Sequence, residues 1–141
     1  MKRSDHGFTL LELMIVIAVL VIIAAIAIPN LLISLNGGRE AAAIGSMRTL
    51  STAAEQYRLR QGSYPSDLED LAAVDPALVD SELANGLRNG YNFQLSGQQS
   101  TFDCFADPIS ENGSRFFFVD ETGVIRQSDS GTAGPGDHPV G

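Results

Sequence analysis

Hydrophobic side chains are concentrated near the start of this 141-residue chain. Residues 13–28 contain no polar side chain, and counted from Phe8 the apolar stretch has about the 20 residues that a helix needs to cross a hydrocarbon core. The only acid inside this stretch is Glu12, at its beginning. The free energy gained by inserting the many Leu, Ile and Val side chains into the membrane outweighs the cost of inserting one carboxylate, about 2.5 to 3.5 kcal/mol at most. The pattern predicts one transmembrane helix.

The segment before this helix, residues 1–7, carries Lys2 and Arg3 with only Asp5 to offset them. Basic residues at this end predict that the N-terminus stays in the cytoplasm. A secretory signal peptide has the same layout, and Ala25-Ile26-Ala27 offers a small-x-small cleavage pattern. A signal peptide gains nothing from Glu12, which costs insertion energy. A retained helix and a cleaved signal peptide are therefore both open on these observations.

Helical periodicity resumes after the apolar stretch and predicts an amphipathic helix over residues 39–60. Its apolar residues recur at intervals of three and four and form one stripe: Ala43, Met47, Leu50, Ala54 and Tyr57. Pro29 predicts a kink or a loosened turn between the two helical stretches, and Asn36-Gly37-Gly38 leaves open whether the helix is continuous. Gly62 and Pro65 predict where it ends.

Strand patterns fill the second half of the chain. Alternating or β-rich runs predict strands over residues 91–95, 101–106, 115–119 and 124–126, the last two joined as a hairpin at Gly123. A short helix capped by Ser66 or Asp67 and a loop over residues 75–89 precede them. We expect residues 127–141 to be flexible. The predicted fold is α+β, a long N-terminal helix packed on a small antiparallel sheet of three or four strands.

Composition narrows the classes of function. The formal net charge is −8, which argues against binding to nucleic acid phosphates. A single cysteine, Cys104, excludes an intrachain disulfide and a zinc site built from paired cysteines. The two histidines, His6 and His138, stand near the two ends of the chain, and no serine lies in a nucleophile-elbow pattern. We expect no catalytic residue, no cofactor and no enzymatic activity.

The motif Gly7-Phe8-Thr9-Leu10-Leu11-Glu12, with the apolar run and Pro29 after it, resembles the class III signal of type IV pilins and of type II secretion pseudopilins. The resemblance implies cleavage between Gly7 and Phe8 by a prepilin peptidase, N-methylation of Phe8 and retention of the apolar helix for assembly. Tyr64-Pro65 and the string FFVDETGVIR resemble the same proteins more weakly.

Glu12 has a physical role under this interpretation. Cleavage would leave a positive amine on Phe8, one helical turn before Glu12. When such helices pack side by side, the carboxylate of one neutralises the amine of the next, and the cost of leaving either unpaired fixes the register between subunits. The alternative is that Glu12 only reaches toward the lipid headgroups.

The chain departs from this family near its C-terminus. Many type IV pilins close that region with a disulfide, but Cys104 has no partner, and we expect it to fill a small apolar space. Some pseudopilins use calcium there, and the hard oxygen ligands available are Asp120, Glu121, Asp129 and Asp137. Their spacing favours a solvated acidic loop, so no metal is expected. Asn112-Gly113-Ser114 matches a glycosylation sequon, although a turn is favoured.

These observations predict a structural subunit. Its parts are a leader (1–7), a transmembrane assembly helix (8–35), a pilin head (36–126) that includes the helix half 39–60, and a tail (127–141). We expect an inner-membrane precursor with a periplasmic head that polymerises with identical subunits, aided by a prepilin peptidase and methyltransferase and by assembly machinery. A type IV pilus subunit is the first hypothesis and a type II secretion pseudopilin the alternative. A secreted binding domain released at Ala27 is the hypothesis from another class.

Overall fold

The computed structural model describes residues 7–109 and 114–141. Within them the helices are α1 (Leu10–Gln61), α2 (Leu68–Ala73) and α3 (Ser81–Ala84). The strands are β1 (Leu87–Arg88), β2 (Tyr91–Gly97), β3 (Phe102–Pro108), β4 (Phe116–Asp120), β5 (Arg126–Ser128) and β6 (His138–Pro139). The predicted α+β class is confirmed. The leader residues Lys2, Arg3, Asp5 and His6, together with Asn112 and Gly113 of the sequon, lie outside the described residues.

The chain divides into two compact units. We call the part up to Leu35 the stem unit and Asn36–Gly141 the head unit. Helix α1 contributes to both and is continuous through Pro29 and through Gly37-Gly38. Proline lacks one backbone N–H donor, and each helical glycine costs about 1 kcal/mol of helix stability. These losses do not end a helix whose neighbouring turns are helical. A kink at Pro29 stays a prediction.

Helix α1 ends where the glycine pattern predicts. Gly62 adopts a φ of +84°, and its N–H donates to the carbonyl oxygen of Arg58 at 2.8 Å. A left-handed glycine directly after a helix satisfies one of its last carbonyl groups without strain. Tyr64 then donates its N–H to the Gln98 carbonyl oxygen at 3.0 Å, which ties the turn after α1 to the end of β2.

The core of the head unit joins α1 to one face of the sheet. The predicted stripe is buried at Ala43, Met47, Leu50 and Ala54, and Tyr57 packs against the same cluster partly exposed. The sheet contributes alternate residues to this cluster, namely Tyr91, Phe93, Leu95, Phe102, Cys104, Ala106, Phe117 and Val119. The period-two burial of β2 and β3 therefore selects the face that meets the helix.

The sheet is an antiparallel meander in which the strands pair in the order β1 to β6. It holds six strands in the described residues, against the three or four predicted. The hydrophobic pattern does not predict the two short strands β1 and β6, because backbone pairing rather than apolar side chains defines them. The predicted final hairpin forms, but its second strand starts at Arg126 rather than Val124.

Two segments differ from their expected form. Residues 75–89 contain α3 and β1, and the carboxylate of Asp80 caps α3 by accepting from the Leu83 N–H at 2.8 Å. Residues 127–141, expected to be flexible, carry part of β5 and all of β6. The Val140 N–H donates to the Ile125 carbonyl oxygen at 2.8 Å. Main-chain hydrogen bonds hold this segment where few apolar side chains are available to do so.

An ion pair fastens α1 to the end of the sheet. The Glu40 carboxylate, 7% exposed, accepts from the Arg115 guanidinium at 2.7 and 3.0 Å and from the Arg115 N–H at 3.1 Å. Arg115 also donates to the side chain of Gln127 at 2.7 Å. Its bonds to Glu40 raise the pKa of the Arg115 guanidinium, which keeps the pair charged. The pair connects α1, the segment before β4 and strand β5.

Candidate functional site

The start of α1 is organised around Thr9 and Glu12. The Glu12 Oε2 atom accepts from the Thr9 N–H at 2.9 Å and from the Thr9 hydroxyl at 2.8 Å. In return the Glu12 N–H donates to the Thr9 Oγ1 at 3.2 Å. Such reciprocal bonding between an N-cap threonine and a glutamate three residues later is a capping box. It satisfies N–H groups that the helix itself leaves without partners.

Sequence reasoning missed this role of Glu12. The signal was present, since Thr-x-x-Glu directly before an apolar helix is the sequence pattern of a capping box. The pattern was hidden because Thr9 and Glu12 both belong to the longer motif that includes Gly7 and Phe8. Glu12 is therefore held at the start of the helix by its own chain, with Oε2 occupied in the described structure.

Gly7 and Phe8 lie immediately before the cap. Phe8 is 87% exposed. A Cβ added to Gly7 would meet nothing within 4 Å, and the backbone there is not in the left-handed region. Within the described part of the chain, neither the available space nor the backbone conformation requires glycine at position 7. Any such requirement must come from a molecule that binds this segment.

The stem unit exposes its large apolar side chains all around the helix. Ile15, Val16, Ile17 and Val19 are each about half exposed, although they point in different directions around α1. Each such side chain left in water forgoes about 1.5 to 3 kcal/mol of burial free energy. A helix that is apolar on every side belongs in a lipid bilayer or inside a bundle. By length and composition α1 is able to cross a membrane.

The predicted site residues fall into two places on the stem. Gly7, Phe8 and Glu12 lie together at the start of α1, whereas Pro29 stands 17 residues beyond Glu12, about 26 Å along a helix. The first three can act as one site. The effect predicted for Pro29 is on the direction of the helix axis. Their assigned roles in cleavage, N-methylation, register and bending stay predictions.

Two of the C-terminal acids bond within their own loops. Asp120 accepts from the Thr122 N–H at 3.0 Å and from its hydroxyl, and Asp137 accepts from the Gly134 N–H at 2.8 Å. Across residues 7–109 and 114–141, no three His, Cys, Asp or Glu side chains are grouped to hold a metal ion. Asp120 and Asp137 therefore cap their own loops.

Cys104 and His138 occupy contrasting positions. Cys104 is fully buried in β3, with its Sγ 3.8 Å from the Sδ of Met47. Burial raises the pKa of the Cys104 thiol, which disfavours the reactive thiolate. This agrees with an apolar filling role. His138 lies exposed on β6, at the edge of the sheet.

A capped apolar helix that leads into an amphipathic half and a small antiparallel sheet defines a pilin-like protein. Residues 2–28 match the family model for the prokaryotic N-terminal methylation motif. The type II secretion system core protein G of Pseudomonas aeruginosa is 32% identical over 73 residues, which are 52% of this chain and 51% of that protein. The protein of the same name from Dickeya chrysanthemi is 32% identical over 92 residues, 64% of this chain and 60% of that protein.

A pilus protein matches at similar strength. The type IV wide pilus major component PilA4 of Thermus thermophilus is 32% identical over 93 residues, 63% of this chain and 71% of that protein. The chain belongs to the family of type IV pilins and type II secretion pseudopilins. It spans about half the length of the first secretion relatives that it matches. No solved structure matches it.

Proposed function

We propose that this chain is the repeating subunit of a helical filament, made as an inner-membrane precursor with its head in the periplasm. The observation that carries the proposal is the stem unit, whose apolar side chains are exposed on all sides of a helix capped at Glu12. Lipid covers these side chains in the precursor. In the filament, the stems of identical subunits cover one another, which keeps the same apolar area out of water.

Processing comes before assembly in this proposal. A prepilin peptidase cuts between Gly7 and Phe8, and the new amine of Phe8 is then N-methylated. The exposed Phe8 and the open space around Gly7 support access to this bond. Both partners of the capping box, Thr9 and Glu12, lie after the cut, so the helix start survives it.

The capped Glu12 then sets the register between subunits. The capping box uses Oε2 for both of its accepted hydrogen bonds, so Oε1 remains available to a further donor. The donor is the amine of Phe8 on a neighbouring stem. Inside a bundle of apolar helices an unpaired amine or carboxylate costs several kcal/mol, so only the stagger that pairs them is stable.

Between the two filaments of this family, we favour the type II secretion pseudopilus. Relatives named type II secretion system core protein G recur in several bacteria, and the lone Cys104 does not permit a closing disulfide. The type IV pilus is the second candidate, because PilA4 is matched over the larger share of its length. Assembly machinery of the corresponding system is the further partner.

Mass spectrometry of the mature N-terminus tests the proposal. We expect a methylated Phe8 as the first residue, in both the membrane fraction and the filament fraction. A mature protein that starts at Ile28 would instead identify a secreted domain cut by signal peptidase, and it would overturn the proposal. Deletion of the gene then separates the two filaments: loss of protein secretion identifies the pseudopilus, and loss of surface filaments identifies the pilus.

A further inference from the structure

Two grooves border α1 in the head unit. The first groove, about 350 Å³, is lined by Arg48, Thr49, Thr52, Ala53, Gln56 and Leu78. The second groove, about 250 Å³, is lined by Arg48, Gly123, Val124, Ile125 and Val140. Arg48 is the residue that both share, so its side chain stands between two concave surfaces.

The guanidinium of Arg48 has no ion pair or hydrogen bond to any residue that the structure describes, although the Arg48 carbonyl oxygen accepts from the Thr52 hydroxyl at 2.9 Å. Other arginines of the head are engaged, since Arg58 pairs with Glu55, Arg88 with Asp80 and Arg115 with Glu40. A guanidinium offers five N–H donors in a rigid fork that matches a carboxylate. Arginine is enriched at protein interfaces and among the residues that contribute most to binding.

A negatively charged segment of the head borders the first groove, to which it contributes Leu78. Residues 67–82, which we call the acidic segment, contain six acids and no Lys or Arg. Several of these acids are occupied locally, such as Asp67, which caps α2, and Asp80. The side chains of Glu69 and Asp75 are exposed, and neither carboxylate has a hydrogen bond or ion pair to the described residues. They are free to bind a cation from outside the chain.

We propose that Arg48 binds Glu69 or Asp75 in the acidic segment of a second copy of this chain. The inference rests on the proposed filament and adds a contact between heads to the one between stems. Copies of a chain with a net charge of −8 repel one another, so a cation where heads touch offsets that repulsion. Neither Glu69 nor Asp75 lines a groove at Arg48, so the contact joins two different places on the head. Contact between different places on identical subunits gives an open helical filament when it does not close into a ring.

Charge reversal in the full-length chain tests this contact. Arg48→Glu should lower the yield of filaments by about tenfold or more, and the double variant Glu69→Arg with Asp75→Arg should do the same. The combination of all three changes should restore most of the yield. Arg39→Glu is the matched control, since Arg39 is exposed on the same helix and lines neither groove. It should change the yield by less than about twofold.

The outcomes separate this contact from the filament itself. Unchanged filaments with Arg48→Glu would overturn it, as would a loss with Arg48→Glu that is not matched by the acidic variants, because the acid would then belong to another molecule. If the triple variant is misfolded, Arg48→Cys combined with Glu69→Cys or with Asp75→Cys should be linked between subunits of a filament by a bifunctional maleimide long enough to span an arginine–carboxylate pair. The absence of both links would overturn the contact. A wild-type chain with methylated Phe8 that forms no filaments would overturn the proposed function.

Discussion

The stem unit and the head unit use one helix in two different ways. In the head, Met47 and Leu50 are fully buried because the sheet of the same chain covers them. In the stem, Ile17 and Leu20 of the same helix are more than half exposed. The head therefore satisfies its apolar residues by folding, whereas the stem needs lipid or further copies of the chain.

The difference lies in how apolar residues are arranged around α1. A stripe on one face directs the head half of the helix onto a sheet, while an apolar surface on every side offers no preferred partner within the chain. Substitutions in the head should consequently change the stability of the monomer. Substitutions in the stem should change assembly and leave the monomer folded.

Glu12→Gln should abolish assembly while keeping the start of α1 intact. Glutamine also serves in capping boxes, so the bonds to Thr9 can persist, but a neutral side chain cannot neutralise the amine of Phe8. Leaving a buried charge unpaired costs about 3 to 5 kcal/mol, which corresponds to a loss of filaments of roughly two to four powers of ten. Filament yield after shearing measures the loss, and mass spectrometry should show normal cleavage and methylation.

Thr9→Ala is the matched control for this prediction. It removes the cap hydroxyl, at about 1 kcal/mol of helix stability, and keeps the Glu12 carboxylate. Filaments should persist at a yield far above that of Glu12→Gln. If instead Thr9→Ala abolished assembly and Glu12→Gln did not, Glu12 would act through the cap alone and the register role would be wrong.

Gly97→Ala should strongly destabilise the head. A Cβ at this position would lie 2.2 Å from the carbonyl oxygen of Pro65 and 2.8 Å from the Cβ of Tyr64. Since the nearest atom belongs to the backbone, β2 and the turn after α1 must move apart, at a cost of about 3 kcal/mol. Thermal unfolding of the full chain in detergent measures the change.

Gly45→Ala should change the stability of the head in the opposite direction. Its added Cβ meets nothing within 4 Å, and alanine is favoured in helices by roughly 0.5 to 1 kcal/mol. The head should therefore become slightly more stable. Equal unfolding temperatures for the two variants would contradict the close approach of β2 to the Tyr64-Pro65 turn.

Glu40→Ala should destabilise the head by about 2 kcal/mol, which is less than the cost for a fully buried pair because the Arg115 side chain is 38% exposed. The variant leaves the Arg115 N–H and guanidinium without their carboxylate. Chemical unfolding of the full chain in detergent gives the difference in free energy. Glu69→Ala, the exposed control, should change it by less than about 0.5 kcal/mol. Equal values for the two would show that the ion pair contributes no net stability.

How far the sequence predicts this molecule depends on what kind of interaction forms each part. The apolar stretch, the stripe beginning at Ala43 and the alternation in β2 were readable because side-chain burial produces a period. Strands β1 and β6 were not, since backbone hydrogen bonds define them and leave no period in the side chains. For the same reason the structure of residues 127–141 went unforeseen.

The candidate site shows a second limit. The motif around Gly7 and Phe8 is local in sequence, so it could be found there, and the capping box of Thr9 and Glu12 was equally local but overlooked. The pair of Glu40 with Arg115 was unreadable, because 75 residues separate its partners and neither has a distinctive neighbourhood in sequence. Contacts of that kind depend on the packing of the whole head.

The boundary between stem and head gives the smallest and most local prediction. Gly37 and Gly38 stand just inside the head unit in a helical backbone, with open space where a Cβ would lie. Replacing both with alanine should favour the helix by roughly 1 kcal/mol at each position, and it should slow amide hydrogen exchange there by about fivefold or more. Exchange over residues 43–54, in the buried stripe, serves as the internal control and should stay unchanged. If exchange at positions 36–39 does not slow, the helix at the boundary already opens as rarely as the helix on either side. The two units then differ only in what covers their apolar side chains.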